Sequence, residues 1–251
     1  MASVLSIGTT HPWNIAGVGL DLRVGAELGV HVFTVVAAVS AQDASGVHAV
    51  HAQPLELMAA QLACVSWEAV DAIRIGALPN ADAVQLVANA IADHAMPAVV
   101  DPVVAATRGG ALGGVDVLAA VRDRLAALPS VILTPNLDEA ARLLGRERVA
   151  LADLDDAAVA LRARGARAVL LKGGHLEGEP TDVLATAEGV QRFAGERLAH
   201  EMRGTGCVLA AALACAFARG DALHDAVGFA RGFVREKIAN ARERGGLRVA
   251  Y

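Results

Sequence analysis

Ser130-Val131-Ile132-Leu133-Thr134-Pro135-Asn136-Leu137-Asp138-Glu139-Ala140-Ala141-Arg142-Leu143-Leu144-Gly145 carries the reading of the fold in one stretch. The run 130–134 is apolar without alternation, as in a strand buried on both faces of a parallel sheet, and a helical segment at 137–145 follows at once. The same unit recurs on either side. Candidate strands lie at 3–8, 31–40, 72–78, 97–104 and 168–172, with helical segments at 17–28, 54–66, 80–94, 114–127 and 155–164. A weaker β pair (182–187 and 190–198) and two helices (205–218 and 222–242) complete the chain. Strands alternating with helices of this length imply βαβ units and a three-layer α-β-α sandwich with a mostly parallel central sheet. No linker composition interrupts the pattern, so residues 1–251 read as a single domain. In such sheets ligands bind outside the carboxyl ends of the strands. Here those ends hold Thr9–Pro12, Ser40–Asp43, Gly76–Leu78, Asp101–Pro102, Thr134–Glu139 and Lys172–His175.

Composition narrows the function classes. Of 251 residues 55% are hydrophobic and 20% charged, which excludes a disordered chain. A net charge of -5 provides no positive field for general nucleic-acid binding. Apolar runs fall far short of the roughly 20 residues that span a bilayer. The start, Met1-Ala-Ser-Val-Leu-Ser-Ile7, has no basic region ahead of an apolar one, so no secretory signal is expected. Cys64, Cys207 and Cys215 form no CxxC pair, and a reduced, cytoplasmic setting is the simplest expectation. The histidines are scattered without zinc-ligand spacing. Of 22 basic side chains only Lys172 and Lys237 are lysine, so a lysine at a strand end is more informative than any single arginine.

Arg203-Gly204-Thr205-Gly206-Cys207 precedes a segment, Val208–Phe217, that is apolar all round and therefore reads as a buried helix. Two glycines before such a helix let backbone N–H groups converge, and its N-terminus adds partial positive charge, together a site for a phosphoryl group in transfer. An ordinary glycine loop capping a core helix has the same sequence. Cys207 falls on the first turn, where a thiol pKa is expected to be lowered, whereas Cys215 and Cys64 read as small core residues.

Taken with Leu171-Lys172-Gly173-Gly174-His175 and Thr134-Pro135-Asn136-Leu137-Asp138-Glu139-Ala140, Gly204-Thr205-Gly206-Cys207 resembles the hydroxymethylpyrimidine/phosphomethylpyrimidine kinases of thiamine biosynthesis, in the ribokinase-like superfamily. Further matching stretches are Ala16–Leu22, Ala41–Val47, Arg74–Leu78 and Val100–Val104, in order and at family spacing. The resemblance implies an ATP- and Mg²⁺-dependent kinase of a small-molecule substrate, working as a homodimer. It places Gly204, Thr205, Gly206 and Cys207 at the transferring phosphoryl group, with Cys207 as base toward the substrate hydroxyl. Lys172, Asn136 and Thr205 are implied on the ATP side, and Glu139 and Asp101 near Mg²⁺. Asn136 and Glu139 can equally be the favourable first turn of a helix. Gln42, Asp21, Ala16, Val104 and Trp13 are implied on the substrate side, where Gln42 can donate and accept across an aminopyrimidine edge. Surface exposure is an equal contender for Asp21. Lys237 reads as a surface residue, and Thr181 and Asp182 match a short family segment of minor weight.

The sequence also departs from the family pattern. Where Asp-Pro-Ser-Gly-Gly-Ala-Gly is usual, this chain has His11-Pro12-Trp13-Asn14-Ile15-Ala16-Gly17. Trp13 can stack on an aromatic ring or fill the pocket. Arg108 replaces a serine before glycine, Arg203 a histidine, and Ala77 a methionine. The departures fall on the substrate side. Pyridoxal/pyridoxine kinase is the near alternative, because both ring alcohols present a hydroxymethyl group, and the altered first loop motivates a catalytically weakened pyrimidine-binding regulatory protein as the alternative of another class.

Overall fold

The computed structural model describes residues 1–103, 110, 112–114, 116–174 and 179–251. Val104, Arg108 and His175 lie outside the described residues. The strands are β1 (Ser3–Thr10), β2 (His31–Gln42), β3 (Val47–Ala52), β4 (Ala72–Ile75), β5 (Ala98–Val100), β6 (Val131–Leu133), β7 (Ala168–Leu171), β8 (Thr181–Ala185) and β9 (Val190–Ala194). They form one nine-stranded sheet in the order β3-β2-β1-β4-β5-β6-β7-β8-β9. The six strands from β2 to β7 in that order run parallel, while β3, β8 and β9 are antiparallel additions at the two edges. The expected mostly parallel α/β sandwich is the observed fold.

Two apolar layers cover the sheet, and strand period two assigns each residue to one of them. Leu5, Ile7, Ile73, Ile75, Val100, Leu133 and Leu171 face α2 (Leu55–Ala63), α3 (Ala81–His94), α4 (Val117–Ala120), α5 (Leu137–Leu144) and α6 (Leu154–Arg162). Val4, Ala72, Val99, Ile132 and Leu170 face α1 (Gly17–Leu28), α7 (Thr205–Ala218) and α8 (Leu223–Ala239). The chain leaves β1 for β2 on one side and later returns to β4 on the other, so α1 and α3 lie on opposite faces. The strand-end crevice at β1 and β4 is where such a reversal of direction admits a ligand. Helix α7 crosses beneath α1 and α8 against β1, β4 and β5. Neighbours on every side explain its lack of any polar face, and Val208 to Phe217 are all buried.

The differences from the sequence reading have local causes. β3 was not expected, because Val47-His-Ala-Val-His-Ala52 offers no apolar face. It exists through an Asp43–Gly46 turn, in which Asp43 N donates to Gly46 O and Asp43 Oδ1 accepts from Ser45 N and Oγ. Strands expected at 72–78 and 97–104 end at Ile75 and Val100, and residues 76–78 and 101–103 become site loops. Within the expected helix 114–127, Val117–Ala120 form one turn of α4, followed by a π-turn at Val121–Leu125. The helix read as 222–242 stops at Ala239 and gives way to a hairpin, β10 (Arg242–Arg244) and β11 (Leu247–Val249). Gly245 and Gly246 turn it, both with positive φ.

Candidate active site

The sheet face beneath α7 turns polar at its carboxyl edge. Continuing the alternation of Val4, Ala72, Val99 and Leu170 gives Ser6, Arg74, Asp101 and Lys172. Asp101 accepts Lys172 Nζ on Oδ1 at 2.8 Å and lies 3.7 Å from Arg74 Nη2 through Oδ2. Arg74 Nε is 3.3 Å from Asp21 Oδ2, which also accepts Ser6 Oγ at 2.6 Å. Two carboxylates and two cations thus neutralise one another where each alone would carry a large desolvation cost. Gly76 is part of this arrangement, because a Cβ there would stand 1.9 Å from Arg74 Nη1.

Above this network begins α7. Gly204 is its N-cap at φ 81, pressed against the chain so that a Cβ would lie 2.2 Å from Ile15 O. Gly206 faces the charges: a Cβ on it would be 3.1 Å from Lys172 Nζ and under 4 Å from both Asp101 oxygens. The helix N-terminus, Thr205 and the Lys172 ammonium therefore bound one cradle suited to an anionic group. Cys207 enters from the first turn, with Sγ 3.7 Å from Asp101 Oδ2.

The thiol is not in the state expected from its place on the helix. Burial pushes Cys207 up to about 11; nearby Asp101 and Asp21 add to this, and Arg74 opposes it. Desolvation outweighs the helix terminus, so Cys207 is a neutral thiol donating toward Asp101. The reading of Cys64 is likewise corrected: it is exposed, whereas Cys215 is buried as expected.

Asn136 and Glu139 meet as a reciprocal cap on α5. Asn136 Oδ1 accepts Glu139 N at 2.9 Å and Glu139 Oε2 accepts Asn136 N at 2.8 Å. Burial pushes the Glu139 carboxyl up to about 7, Lys172 opposing and Asp101 adding to the rise. Asn136 also bridges to Lys172 through the backbone, which carries the cap to the edge of the cradle. Among the described residues no group of three or more His, Cys, Asp and Glu side chains could hold a metal ion unaided.

On the substrate side the residues fall into two sets. Gln42 Oε1 is buried and has no hydrogen-bond partner among the described residues. Ala16 caps α1 in extended conformation. Asp21, by contrast, is fully buried under Arg74 and Ser6, which removes the surface alternative and directs its carboxylate into the charge network. The Trp13 ring lies against the C-terminal hairpin, so close to Gly245 that a Cβ there would come within 2.5 Å. His11 is buried, and burial lowers its pKa, with a hydrogen bond to the Ala16 backbone opposing the fall. Lys237 is also not the open surface residue expected, since it pairs with Glu27 and lies over the rings of Phe233 and Tyr251.

With this geometry in place, the sequence profile of the phosphomethylpyrimidine kinase family matches residues 13–249. The chain belongs to this family. A hydroxymethylpyrimidine/phosphomethylpyrimidine kinase of Streptomyces coelicolor is 38% identical over 245 residues, covering 97% of this chain and 91% of that protein. The enzyme of that name from Escherichia coli is 36% identical over 245 residues, covering 95% and 91%. Among solved structures, an ADP complex of Bacillus subtilis pyridoxal kinase superposes with a TM-score of 0.89 at 28% identity, covering 99% of this chain and 96% of that one. An ancestral protein, described as the last common ancestor of two groups of vitamin kinases, gives 0.75 at 30% identity, covering 94% and 99%.

Sequence reasoning missed Arg74 as a site residue. In an arginine-rich chain its residue type carries no signal. Its position inside the apolar run Ala72-Ile73-Arg74-Ile75 does, because a charge in the middle of a buried strand needs a built partner.

Proposed function

We propose that this chain is an ATP-dependent kinase that phosphorylates the hydroxymethyl group of 4-amino-5-hydroxymethyl-2-methylpyrimidine, the phosphate of its monophosphate, or both, in thiamine biosynthesis. One observation carries the reading. The space left by Gly206 lies between the α7 N-terminus and Lys172 Nζ, 3.1 Å from where a Cβ would be, and faces Asp101, whose Oδ2 is 3.7 Å from the Cys207 thiol. Phosphoryl transfer depends mainly on positioning and on stabilising charge spread over the equatorial oxygens, and this cradle supplies both. Lys172 and the first-turn N–H groups hold the phosphoryl oxygens, and Thr205 lies at the same turn. Gln42, whose buried carbonyl oxygen has no partner among the described residues, receives the exocyclic amine of the pyrimidine. Cys207 accepts the hydroxyl proton as its own proton passes to Asp101 Oδ2.

The residues present fit Mg²⁺ carried in with the nucleotide. Magnesium keeps several waters and needs only one or two carboxylates besides phosphate. Glu139 and Asp101 both act electrostatically on Lys172, and they are the carboxylates that would face a metal-bound water there. Bound there, the ion neutralises charge on the nucleotide phosphates. The reading also takes residues 1–251 as one kinase domain of a cytoplasmic homodimer. Family membership supports this, and no helix among the described residues is long and apolar enough to cross a membrane.

The test offers purified protein and Mg·ATP three alcohols in parallel: hydroxymethylpyrimidine, its monophosphate and pyridoxal. Phosphorylation of either pyrimidine, lost in Cys207→Ala, is the expected result. Absence of any phosphorylated product would sink the kinase reading. The superposition on a pyridoxal kinase makes pyridoxal the informative competitor, and turnover of pyridoxal alone would replace the substrate.

A further inference from the structure

Asp182, on β8, lies outside the cradle, yet both of its oxygens are engaged. Oδ1 accepts the backbone N–H of Gly173 at 3.0 Å, and Oδ2 accepts Arg231 Nε at 2.8 Å. Arg231 belongs to α8; its Nη2 donates to Phe193 O at 2.7 Å, and its guanidinium lies over the Phe193 ring. Only 15% of the Asp182 side chain and 16% of Arg231 reach solvent, so water screens this pair far less than a surface ion pair.

Gly173 directly follows Lys172. The backbone of the two residues is fixed on both flanks, since Lys172 N donates to Pro135 O at 2.8 Å while Gly173 N donates to Asp182. Gly173 lies so close to β8 that a Cβ would come within 2.1 Å of Thr181 O. One residue on, Arg197 Nη1 donates to Gly174 O at 3.2 Å. A lysine side chain is a flexible four-carbon stem carrying a point charge. Where its ammonium stands thus depends on how firmly its Cα is held.

We propose that Asp182 is a positioning residue for the nucleotide: by holding Gly173 N–H, and being held by Arg231, it fixes Lys172 over the first turn of α7. This rests on the reading that Lys172 meets the ATP phosphates. A plain structural tie between β8 and α8 would lower stability and affect both substrates alike. A positioning role acts on the nucleotide alone, because the pyrimidine is held from β1 and β2 at the other end of the crevice.

Asp182→Ala, Asp182→Asn and Arg231→Lys are compared with the parent chain in two measurements: KM for ATP and for hydroxymethylpyrimidine, and calorimetric binding of Mg·ADP. Asp182→Ala loses one charge-assisted hydrogen bond to the loop, so KM for ATP and Kd for Mg·ADP should each rise about tenfold. KM for the pyrimidine should stay within about twofold. Asp182→Asn keeps an acceptor for Gly173 and should recover most of the loss, with Arg231→Lys in between. Unchanged ATP and ADP constants, or both KM values rising together, would overturn the proposal. Should Asp182→Ala fail to fold, Arg231→Lys decides: a rise in KM for ATP and Kd for Mg·ADP with KM for the pyrimidine unchanged bears the proposal out, and unchanged constants or a joint rise of both KM values overturn it. If the parent chain binds Mg·ADP but phosphorylates nothing, the kinase reading fails while the ADP comparison still decides the role of Asp182. A parent chain that binds no Mg·ADP overturns both.

Discussion

Arg74 Nη2 lies 3.7 Å from Asp101 Oδ2 in a place where neither side chain reaches solvent. Asp21 holds the other side of the same guanidinium at 3.3 Å. Removing the cation leaves two buried carboxylates facing each other with Lys172 alone to offset them. Arg74→Met should therefore cost about 3–5 kcal/mol in chemical denaturation. Arg74→Lys keeps a charge and should cost clearly less. Equal stability of Arg74→Met and the parent chain would show that the network is dispensable to folding.

Gly204 and Gly206 are two residues apart and should respond oppositely to alanine. At Gly204 the positive φ and the backbone oxygen of Ile15 forbid a side chain, so Gly204→Ala should destabilise the chain. At Gly206 the nearest atom is the movable end of Lys172, and alanine favours a helix. Gly206→Ala should keep or slightly raise the melting temperature while kcat/KM falls at least about tenfold, through the filled cradle. Full activity in Gly206→Ala would remove the phosphoryl group from this position.

Glu139 sets a pH dependence of stability. Its carboxyl is pushed up to about 7 in the fold, above the ordinary carboxylate range it has when unfolded. Between those values the folded chain holds the extra proton, so this group's contribution is fully present below the unfolded pKa and is lost as pH rises through about 7. Stability measured by urea denaturation should fall across that window. Glu139→Gln, which keeps the cap acceptor, should flatten the slope there. An unchanged slope would mean that Glu139 titrates elsewhere.

The three cysteines should differ in reactivity. Cys64 is exposed, whereas burial raises the Cys207 thiol to about 11 and the Cys215 thiol to about 12. Alkylation by iodoacetamide at neutral pH, followed by peptide mass spectrometry, should label Cys64 first and Cys207 far more slowly. Cys215 should react only on unfolding. Rapid labelling of Cys207 in the folded protein would restore the activated thiolate expected from its helix position.

Much of the site was legible because strand ends were. Once the hydrophobic runs fixed the strands, Asp101, Asn136 and Lys172 fell at their carboxyl ends, and the structure brings Lys172 to the other two. Gly206 was legible for the same local reason, as the glycine that opens a helix apolar on all sides. Arg74 was hidden by an arginine-rich composition, and the approach of the Trp13 ring to Gly245 joins residues far apart in the chain, which no local pattern shows. β3 and that hairpin have too little apolar pattern to be read as strands.

By itself the sequence determined the elements and their order. Continuous apolar runs demand burial on both faces, and an all-apolar helix demands a central place. Only the tertiary structure decided the charge states and partners. The Cys207 thiol is neutral because desolvation exceeds the pull of the helix terminus, and Asp21 on α1 is buried against Arg74, which reaches it from β4. Desolvation and ion pairing depend on which groups meet across the sheet, from β1, β4, β5, β7 and two helices. Sequence periodicity says which face a residue takes, whereas the field at that residue is a sum over neighbours that only the folded chain assembles.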